Sequence, residues 1–203
     1  MLNLLYEDEE ILVVWKPVGV ESQSGRGFDA DMVSEIQRYL STKKPVDKHN
    51  LSTKPVEPYV GVIHRLDKPV SGVMVYAKTK TAAAAPSKQV AEGKMHKKYL
   101  TVLCGKPVDN VEKYVDYLLK DGKTNTSRIV DKSVAGAKRA ELEYQILEKK
   151  EQEDGTVRSL VEIHLHTGRH HQIRVQFAAH GTPLKGDTKY GAPAAASVGR
   201  ARR

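Results

Sequence analysis

The segment HRLDKPVSG, residues 64–72, places one carboxylate, Asp67, between the cations Arg65 and Lys68. A carboxylate that is paired with a cation stays ionised at neutral pH, as a nucleophile or a proton acceptor must. The same arrangement also occurs in ordinary ion pairs at turns, and the pattern alone favours that structural role. The residues themselves therefore leave both a catalytic and a structural role open for Asp67.

A second dense segment, residues 164–191, contains five of the eight histidines and four cations. His164 and His166 share one face of a predicted strand and could supply two zinc ligands. No cysteine pair or further ligand pattern completes such a site, and the cations would repel a metal ion. The histidines are therefore expected to contact phosphate or to pack in the core. The cations are Arg169, Arg174, Lys185 and Lys189.

Arg174 is the candidate partner of Asp67. It lies in a predicted helix whose neighbours Ile173 and Phe177 suit the core, so its side chain should be held firmly. A serine nucleophile is a weaker hypothesis, because Ser71 lacks the Gly-x-Ser-x-Gly pattern and Ser71-Gly72 is explained equally well by a tight turn. The residues alone do not reach a specific reaction.

The composition favours a polyanionic partner. The 203 residues contain 33 Lys and Arg against 25 Asp and Glu, which gives a formal net charge of +8. Lys and Arg release condensed counterions when they neutralise phosphates, so RNA or DNA is the expected partner, with a merely solvated basic surface as the alternative. The single cysteine, Cys104, excludes an intramolecular disulfide. Without a signal peptide or a membrane-spanning run, we expect a soluble, cytoplasmic protein.

The elements that must position these residues follow from periodicity. ILVVWKPVGV predicts a strand that ends at Lys16-Pro17, and DADMVSEIQRYL predicts a helix capped by Asp29 or Asp31. Residues 41–58, rich in Lys and Pro, predict a surface loop. YVGVIH and GVMVYA predict strands on either side of Asp67, which places it in a loop braced by core elements.

The second half of the chain predicts further strands and helices. TAAAAPSKQVAEGK should be helical, with Pro86 kinking it or starting a new helix. KKYLTVLCG, RAELEYQIL and RSLVEIHLH predict strands, residues 111–138 are polar with a turn at KDGKTNTS, and HHQIRVQFAAHG predicts a helix closed by Gly181. The pattern indicates an α+β fold with a mixed, largely antiparallel central sheet and flanking short helices.

Four segments in this order resemble the motifs of the RluA-type RNA pseudouridine synthases. HRLDKPVSG is similar to the family's central motif, with Val70 where Thr is usual, and HTGRHHQIRVQFAAHGTPLKGDTKYG is similar to its late motif, with His170 where Thr is common. ILVVWKPVGV resembles the first motif, with Trp15 where Asn or Asp is usual, and HKKYLTVLCG resembles the Lys-Tyr strand. Together they cover nearly the whole chain.

The resemblance implies an isomerase that converts uridine to pseudouridine in ribosomal or transfer RNA, with no cofactor and no metal. It implies that Asp67 is the catalytic aspartate, as a nucleophile or as a base at C2′, that Tyr99 packs on the target base, and that Arg174 pairs with Asp67. Arg65 would enter the RNA beside the flipped base. The remaining expected RNA contacts are His64, Lys98, Arg169, His171 and Lys185.

The same resemblance implies the domain organisation. We expect one catalytic domain over residues 1–191, a basic, disordered tail over residues 192–203, no separate RNA-binding domain and no obligate protein partner. The family's chains usually continue with another strand, so a shortened C-terminus suggests the first alternative, an inactive RNA-binding relative. The second alternative is a hydrolase or glycosidase, which would need Asp187 as a second carboxylate beside Asp67.

Overall fold

The computed structural model describes residues 2–24, 31–43 and 57–191. The chain divides into two compact units, Met1–Met95 and His96–Arg203. Most of the predicted loop at 41–58 and all of the predicted tail at 192–203 lie outside the described residues. The single catalytic domain over residues 1–191 remains a prediction.

The first unit contains a four-stranded antiparallel sheet. Its strands are β1 (Asn3–Glu7), β2 (Ile11–Lys16), β3 (Gly61–Val62) and β4 (Gly72–Ala77), in the order β1-β2-β4-β3. Strand β2 ends at the residue before Pro17, as predicted, because proline has no N–H to donate to a ladder. The strands predicted on either side of Asp67 are β3 and β4, although β3 is only two residues long.

Helix α1 (Met32–Lys43) covers one face of this sheet. Asp31 caps it, since its carboxylate accepts a hydrogen bond of 2.8 Å from the Ser34 N–H. Met32, Ile36 and Leu40 recur every four residues and are buried. They form one core cluster with the sheet residues Leu12, Val14, Met74 and Tyr76. The predicted helix and its cap are confirmed.

Helix α2 (Lys80–Ala91) begins at the N-cap Thr79, whose side chain accepts a hydrogen bond from the Ala82 N–H. Pro86 lies inside this helix, so the alternative that a new helix starts at Pro86 is wrong. Proline removes one backbone hydrogen bond, but no residue of α2 is buried, and water can reach the carbonyl that loses its partner.

The second unit contains a five-stranded antiparallel sheet and helix α3 (Gln172–Ala179). The strand order is β5-β9-β8-β6-β7. Two of these strands were not predicted, because residues 111–138 are rich in charge and only one face of β6 is buried, by Tyr114 and Leu118. The predicted turn at KDGKTNTS joins these two strands. The strands are β5 (Lys98–Cys104), β6 (Val111–Asp121), β7 (Thr126–Ile129), β8 (Lys138–Glu151) and β9 (Val157–Leu165).

Helix α3 packs on the core of this second sheet. Phe177 is fully buried, with its ring centroid 5.4 Å from that of Tyr114 and 5.3 Å from that of Tyr144. Gly181 closes the helix as predicted: its φ of +81° lies in the left-handed region, and its N–H donates to the Ala178 carbonyl. The α+β class and the largely antiparallel pairing are confirmed, but the strands of the described residues form two antiparallel sheets where one mixed central sheet was predicted. In the described ranges, no helix is long and apolar enough to cross a bilayer.

Candidate active site

Asp67 lies in the connection between β3 and β4, where the sequence predicts it. The Val70 N–H donates to the Asp67 carbonyl at 2.9 Å and closes a turn just after the carboxylate-bearing residue. Asp67 is half-buried, and its neighbour Arg65 is exposed and donates to the Gln23 side chain at 3.0 Å. His64 is half-buried and accepts a hydrogen bond from the Val75 N–H.

The backbone on both sides of Asp67 is held by the segment that follows β2. The hydroxyl of Ser22 donates to the Leu66 carbonyl at 2.8 Å and accepts from the Leu66 N–H at 3.0 Å. On the other side of Asp67, the Lys68 carbonyl accepts from the Gly19 N–H at 2.8 Å. The chain therefore fixes the position of Asp67 through its two sequence neighbours.

Lys16 is a fully buried cation behind this loop. Its ammonium donates to the carbonyls of Val20 at 2.7 Å, Pro17 at 3.0 Å and Lys68 at 3.4 Å. Burial lowers the pKa of Lys16, and the negative charge of Asp67 partly opposes that shift by raising it. The charges of Lys16 and Asp67 are thus close enough to interact.

Lys16 and Ser22 were not among the predicted site residues. A signal for Lys16 was present, because Leu12, Val14 and Lys16 alternate along β2 and therefore face the same side of the sheet. A lysine on the core face needs carbonyl acceptors or a carboxylate nearby. Ser22 gave no such signal, since its partner lies 44 residues away in the sequence.

In the second unit, Arg174 forms a two-pronged ion pair with Asp187. Arg174 Nε and Nη2 each donate to a carboxylate oxygen at 2.7 Å, and the two side chains are only 14% and 4% exposed. Burial alone would raise the pKa of Asp187, but hydrogen bonds from Arg174 and from the backbone of Tyr190 and Lys189 lower it to about 2. Asp67 belongs to the other unit, and its pairing with Arg174 remains a prediction.

Tyr190 joins this ion pair to a pair of histidines. The Arg174 guanidinium lies over the Tyr190 ring, 5.2 Å from its centroid, and the Tyr190 hydroxyl forms a hydrogen bond of 2.8 Å with His171 Nδ1. His171 stacks on His170 at 3.7 Å, and His170 Nδ1 lies 2.9 Å from the Ser127 hydroxyl. The histidines thus hold this cluster together. Tyr190 was not predicted as a site residue, because the motif match alone gave it no role.

The predicted active-site tyrosine, Tyr99, lies on β5. It is half-buried and packs against the core cluster that includes Leu103 and Ile163. The next residue back along the strand, Lys98, points to the opposite face because side chains alternate. Lys98 is exposed and forms an ion pair of 2.9 Å with Glu162.

The remaining predicted RNA-binding residues lie on the surface of the second unit. Arg169 is exposed and donates through Nε to the Arg139 carbonyl at 2.8 Å, which leaves the rest of its guanidinium facing solvent. The Lys185 side chain is exposed, while its backbone N–H donates to the Val102 carbonyl. Both positions suit contact with phosphate, and their roles remain predictions.

The two histidines considered as zinc ligands contact carboxylates instead. His164 Nε2 lies 3.0 Å from Glu162, and His166 Nε2 lies 3.2 Å from Glu143. Within the part of the chain that the structure describes, no group of three His, Cys, Asp or Glu side chains is arranged to hold a metal ion.

Three of the predicted site residues offer side chains with defined chemical capacities. Asp67 offers a carboxylate on a braced loop near the buried cation Lys16. Arg174 offers a cation fixed by Asp187, and Tyr99 offers an aromatic ring anchored in the core. In the first unit, a fixed carboxylate suits chemistry on a sugar, and in the second unit a fixed guanidinium and an aromatic ring suit contact with a nucleotide.

Comparison with known proteins shows the family. Residues 10–179 match the family model described as RNA pseudouridylate synthase, so the match includes Asp67, Tyr99 and Arg174. The chain is 31% identical over 191 residues to ribosomal large subunit pseudouridine synthase D of Zymomonas mobilis, covering 94% of this chain and 56% of that protein. It is 30% identical over 188 residues to ribosomal large subunit pseudouridine synthase C of Escherichia coli K12, covering 93% and 53%.

The fold comparison agrees. The structure of human RNA pseudouridylate synthase domain containing 1 matches with a TM-score of 0.73 at 24% identity, over 95% of this chain and 70% of that one. The chain spans about half the length of the curated relatives that it matches. By the extent of the family match, the chain belongs to the RNA pseudouridylate synthase family.

Proposed function

We propose that this protein isomerises uridine to pseudouridine in structured RNA of the cytoplasm, with Asp67 as the catalytic carboxylate. The observation that carries the proposal is the family match over residues 10–179, which contains the Asp67 loop and both other predicted catalytic residues. The braced backbone on either side of Asp67 supports it, because a catalytic group must be held in position before the substrate arrives.

The large ribosomal subunit RNA is the first substrate to test. The relatives from Zymomonas mobilis and Escherichia coli are named for the ribosomal large subunit, and transfer RNA is the second substrate class that we propose. The net charge of +8 suits either polyanion. A uridine within a helix must first be flipped out of its stack, which costs a few kcal/mol.

The reaction is an internal rearrangement and needs no co-reactant. The bond between N1 of uracil and C1′ of ribose breaks, the base turns, and a new bond forms between C5 and C1′. The hydrogen at C5 is then lost as a proton, and N1 gains one, so atoms and charge balance. Asp67 either attacks C1′ as a nucleophile or removes a proton from C2′, and the proposal holds for both routes.

Tyr99 and Arg174 have separate proposed roles. The Tyr99 ring, anchored against the core, would pack on the uracil, and its hydroxyl would assist removal of the C5 proton. Arg174, held by Asp187, would pair with the catalytic carboxylate and keep it ionised. Arg65, which is exposed beside Asp67, would contact the RNA where the base has left the stack.

The test is release of tritium from RNA labelled at C5 of uridine, because formation of the C5–C1′ bond expels that hydrogen. Transcribed, unmodified large-subunit ribosomal RNA and transfer RNA serve as substrates. We expect release with the wild-type protein and none with Asp67→Asn, a loss of at least about 10³-fold. Asp154→Asn is the matched control, because Asp154 is exposed in the turn between β8 and β9.

Two results would contradict the proposal. Turnover retained by Asp67→Asn would exclude Asp67 as the catalytic group. RNA binding by the wild-type protein without tritium release from either RNA would indicate the inactive RNA-binding alternative instead. Filter binding at several salt concentrations, run beside the release assay, separates these outcomes.

The geometry argues against the glycosidase alternative. Such an enzyme needs a second carboxyl group that is protonated at neutral pH and can act as a general acid. Asp187 is the candidate for that role, but its pKa is lowered to about 2 by Arg174 and two backbone N–H groups. It therefore stays ionised at neutral pH and does not suit the general-acid role, so a glycosidase would have to use Asp67 as the acid and Asp187 as the nucleophile or base.

A further inference from the structure

Lys97 is a half-buried cation just before β5. Its backbone carbonyl accepts a hydrogen bond of 2.9 Å from the Leu165 N–H, which extends the β5–β9 ladder by one residue. Alternation along this extended backbone puts Lys97 on the same face as Tyr99, whereas Lys98 lies on the opposite, exposed face. Lys98, and not Lys97, was predicted to contact RNA.

The surroundings of the two lysines differ. Lys98 has a carboxylate partner in Glu162, but among the described residues no hydrogen bond or ion pair involves the Lys97 ammonium. Burial lowers the pKa of Lys97, and no charge within residues 2–24, 31–43 and 57–191 opposes that shift. A partly desolvated ammonium without a partner costs free energy, which an anionic ligand would recover.

The loop beside Lys97 leaves its ammonium open to such a ligand. Gly168 belongs to this loop, and a Cβ placed on it would lie 3.6 Å from Lys97 Nζ. That is an ordinary contact, and the Gly168 backbone is not left-handed, so the fold does not itself require glycine there. A longer side chain at this position would cover the ammonium.

The Gly168 loop is held rigidly. Gln172 is almost completely buried, and its Oε1 accepts hydrogen bonds from the Thr167 hydroxyl at 2.8 Å and from the Arg169 N–H at 3.0 Å. These two residues flank Gly168 directly, so its position beside Lys97 is fixed before any ligand binds. The exposed part of the Arg169 guanidinium lies on the same short loop.

We infer that Lys97 and the Gly168 loop form a phosphate-binding site, in which the Lys97 ammonium contacts a phosphate oxygen of the RNA backbone. The inference rests on the proposed function, because RNA is the polyanion on which that function acts. Lysine binds phosphate as a point charge and needs only an open approach, which Gly168 provides. The site lies on the Tyr99 face of β5 and would help hold the nucleotide chain there.

The test measures binding of a fluorescein-labelled oligouridylate of about 20 nucleotides at salt concentrations from about 50 to about 300 mM, because phosphate contacts dominate affinity over roughly this range. We expect Lys97→Met to weaken binding about tenfold and to reduce the slope of log K against log salt by about 0.7, the value for one single-strand phosphate contact. Lys97→Arg should restore the slope, and Gly168→Leu should resemble Lys97→Met.

Lys150→Met is the matched control. Lys150 is an exposed lysine of the same sheet, and its register with Arg158 and Cys104 places it at the other end of β5. We expect this variant to bind like the wild type. An unchanged slope in Lys97→Met would overturn the inference. A loss of RNA affinity in Lys98→Met but not in Lys97→Met would also overturn it.

A second measurement does not depend on whether Lys97→Met folds. After reductive ¹³C-methylation of the wild-type protein, the Lys97 signal is identified by its absence in Lys97→Arg and titrated with pH. Its pKa should rise on addition of the oligouridylate, because a phosphate replaces the lost hydration. An unchanged pKa with RNA bound contradicts the inference. If RNA binding depends on Lys97 but the wild-type protein releases no tritium, the proposed function is refuted and the phosphate-binding site is not.

Discussion

The Ser22 hydroxyl and the Leu66 backbone exchange two hydrogen bonds, of 2.8 and 3.0 Å, directly before the candidate catalytic residue Asp67. Ser22 is 4% exposed, so water cannot readily replace its hydroxyl. The Ser22 side chain thus fixes the carbonyl and the N–H of Leu66, and the position of Asp67 depends on Leu66. The link ties the segment after β2 to the β3–β4 connection.

Ser22→Ala should destabilise the protein by about 2 kcal/mol, because two partly buried backbone groups of Leu66 lose their partner, the buried Ser22 hydroxyl. We also expect turnover to fall about tenfold through the looser Asp67 loop. Urea unfolding and tritium release are the measurements. Ser41→Ala, which removes an exposed hydroxyl of α1, is the control and should stay within about 0.5 kcal/mol of wild type. Equal unfolding of the two variants would contradict the bracing role.

Lys16→Met should remove the buried donor to the carbonyls of Pro17, Val20 and Lys68 and cost about 2 kcal/mol at pH 7. The pKa of Lys16 is lowered by burial in the folded protein, so between that lowered pKa and the ordinary 10.5 the unfolded chain binds more protons. Wild-type stability should therefore rise relative to Lys16→Met as pH rises through this range.

The measurement is urea unfolding of both proteins from pH 7 to 10.5, with the exposed Lys120→Met as the control. The control should unfold like the wild type at every pH, because an exposed lysine keeps its hydration. A stability difference between wild type and Lys16→Met that is constant with pH would show that burial does not lower the pKa of Lys16.

Tyr99→Phe should retain the ring that packs against the core but lose the hydroxyl. If the hydroxyl assists removal of the C5 proton, tritium release should fall by about 10² to 10⁴, the usual contribution of such a group, while affinity for RNA stays unchanged. Tyr117→Phe on β6, also half-buried, is the matched control. Equal release by Tyr99→Phe and wild type would leave Tyr99 with a packing role only.

Asp187→Asn should destabilise the protein by about 2 kcal/mol at pH 7, because Arg174 loses a buried, two-pronged partner. The pKa of Asp187 is lowered to about 2 from its ordinary 3.8, so its contribution is complete above about pH 4 and disappears as pH falls toward 2. The stability of wild type and Asp187→Asn should therefore converge in acid.

Urea unfolding between pH 2 and 7 is the measurement for this pair, and the exposed Glu153→Gln serves as the control. Other carboxylates titrate over the same range, so the difference between wild type and variant is the relevant quantity. A difference that persists at pH 2 would assign the effect of Asp187→Asn to packing and not to charge.

Much of the fold could be predicted from local pattern. The period of four in Met32, Ile36 and Leu40 is sufficient to identify α1, and the Asp31 cap agrees with it. Strand β6 was missed because apolar and charged residues occur on both of its faces, so alternation is weak. Val111 and Val115 are exposed, whereas Glu112 and Asp116 share the face of the buried Tyr114 and Leu118. At Pro86 the alternative of a new helix was wrong, because an exposed helix such as α2 tolerates the missing hydrogen bond.

The sequence by itself determined which residues are candidates for the chemistry, because the identity and order of the side chains around Asp67, Tyr99 and Arg174 follow directly from the chain. Only the tertiary structure decided what holds them. The hydroxyl of Ser22 meets Leu66 across 44 residues, and the Lys16 ammonium meets the Lys68 carbonyl across 52. Such contacts depend on which strands pair and in what register, and periodicity within one segment carries no information about either.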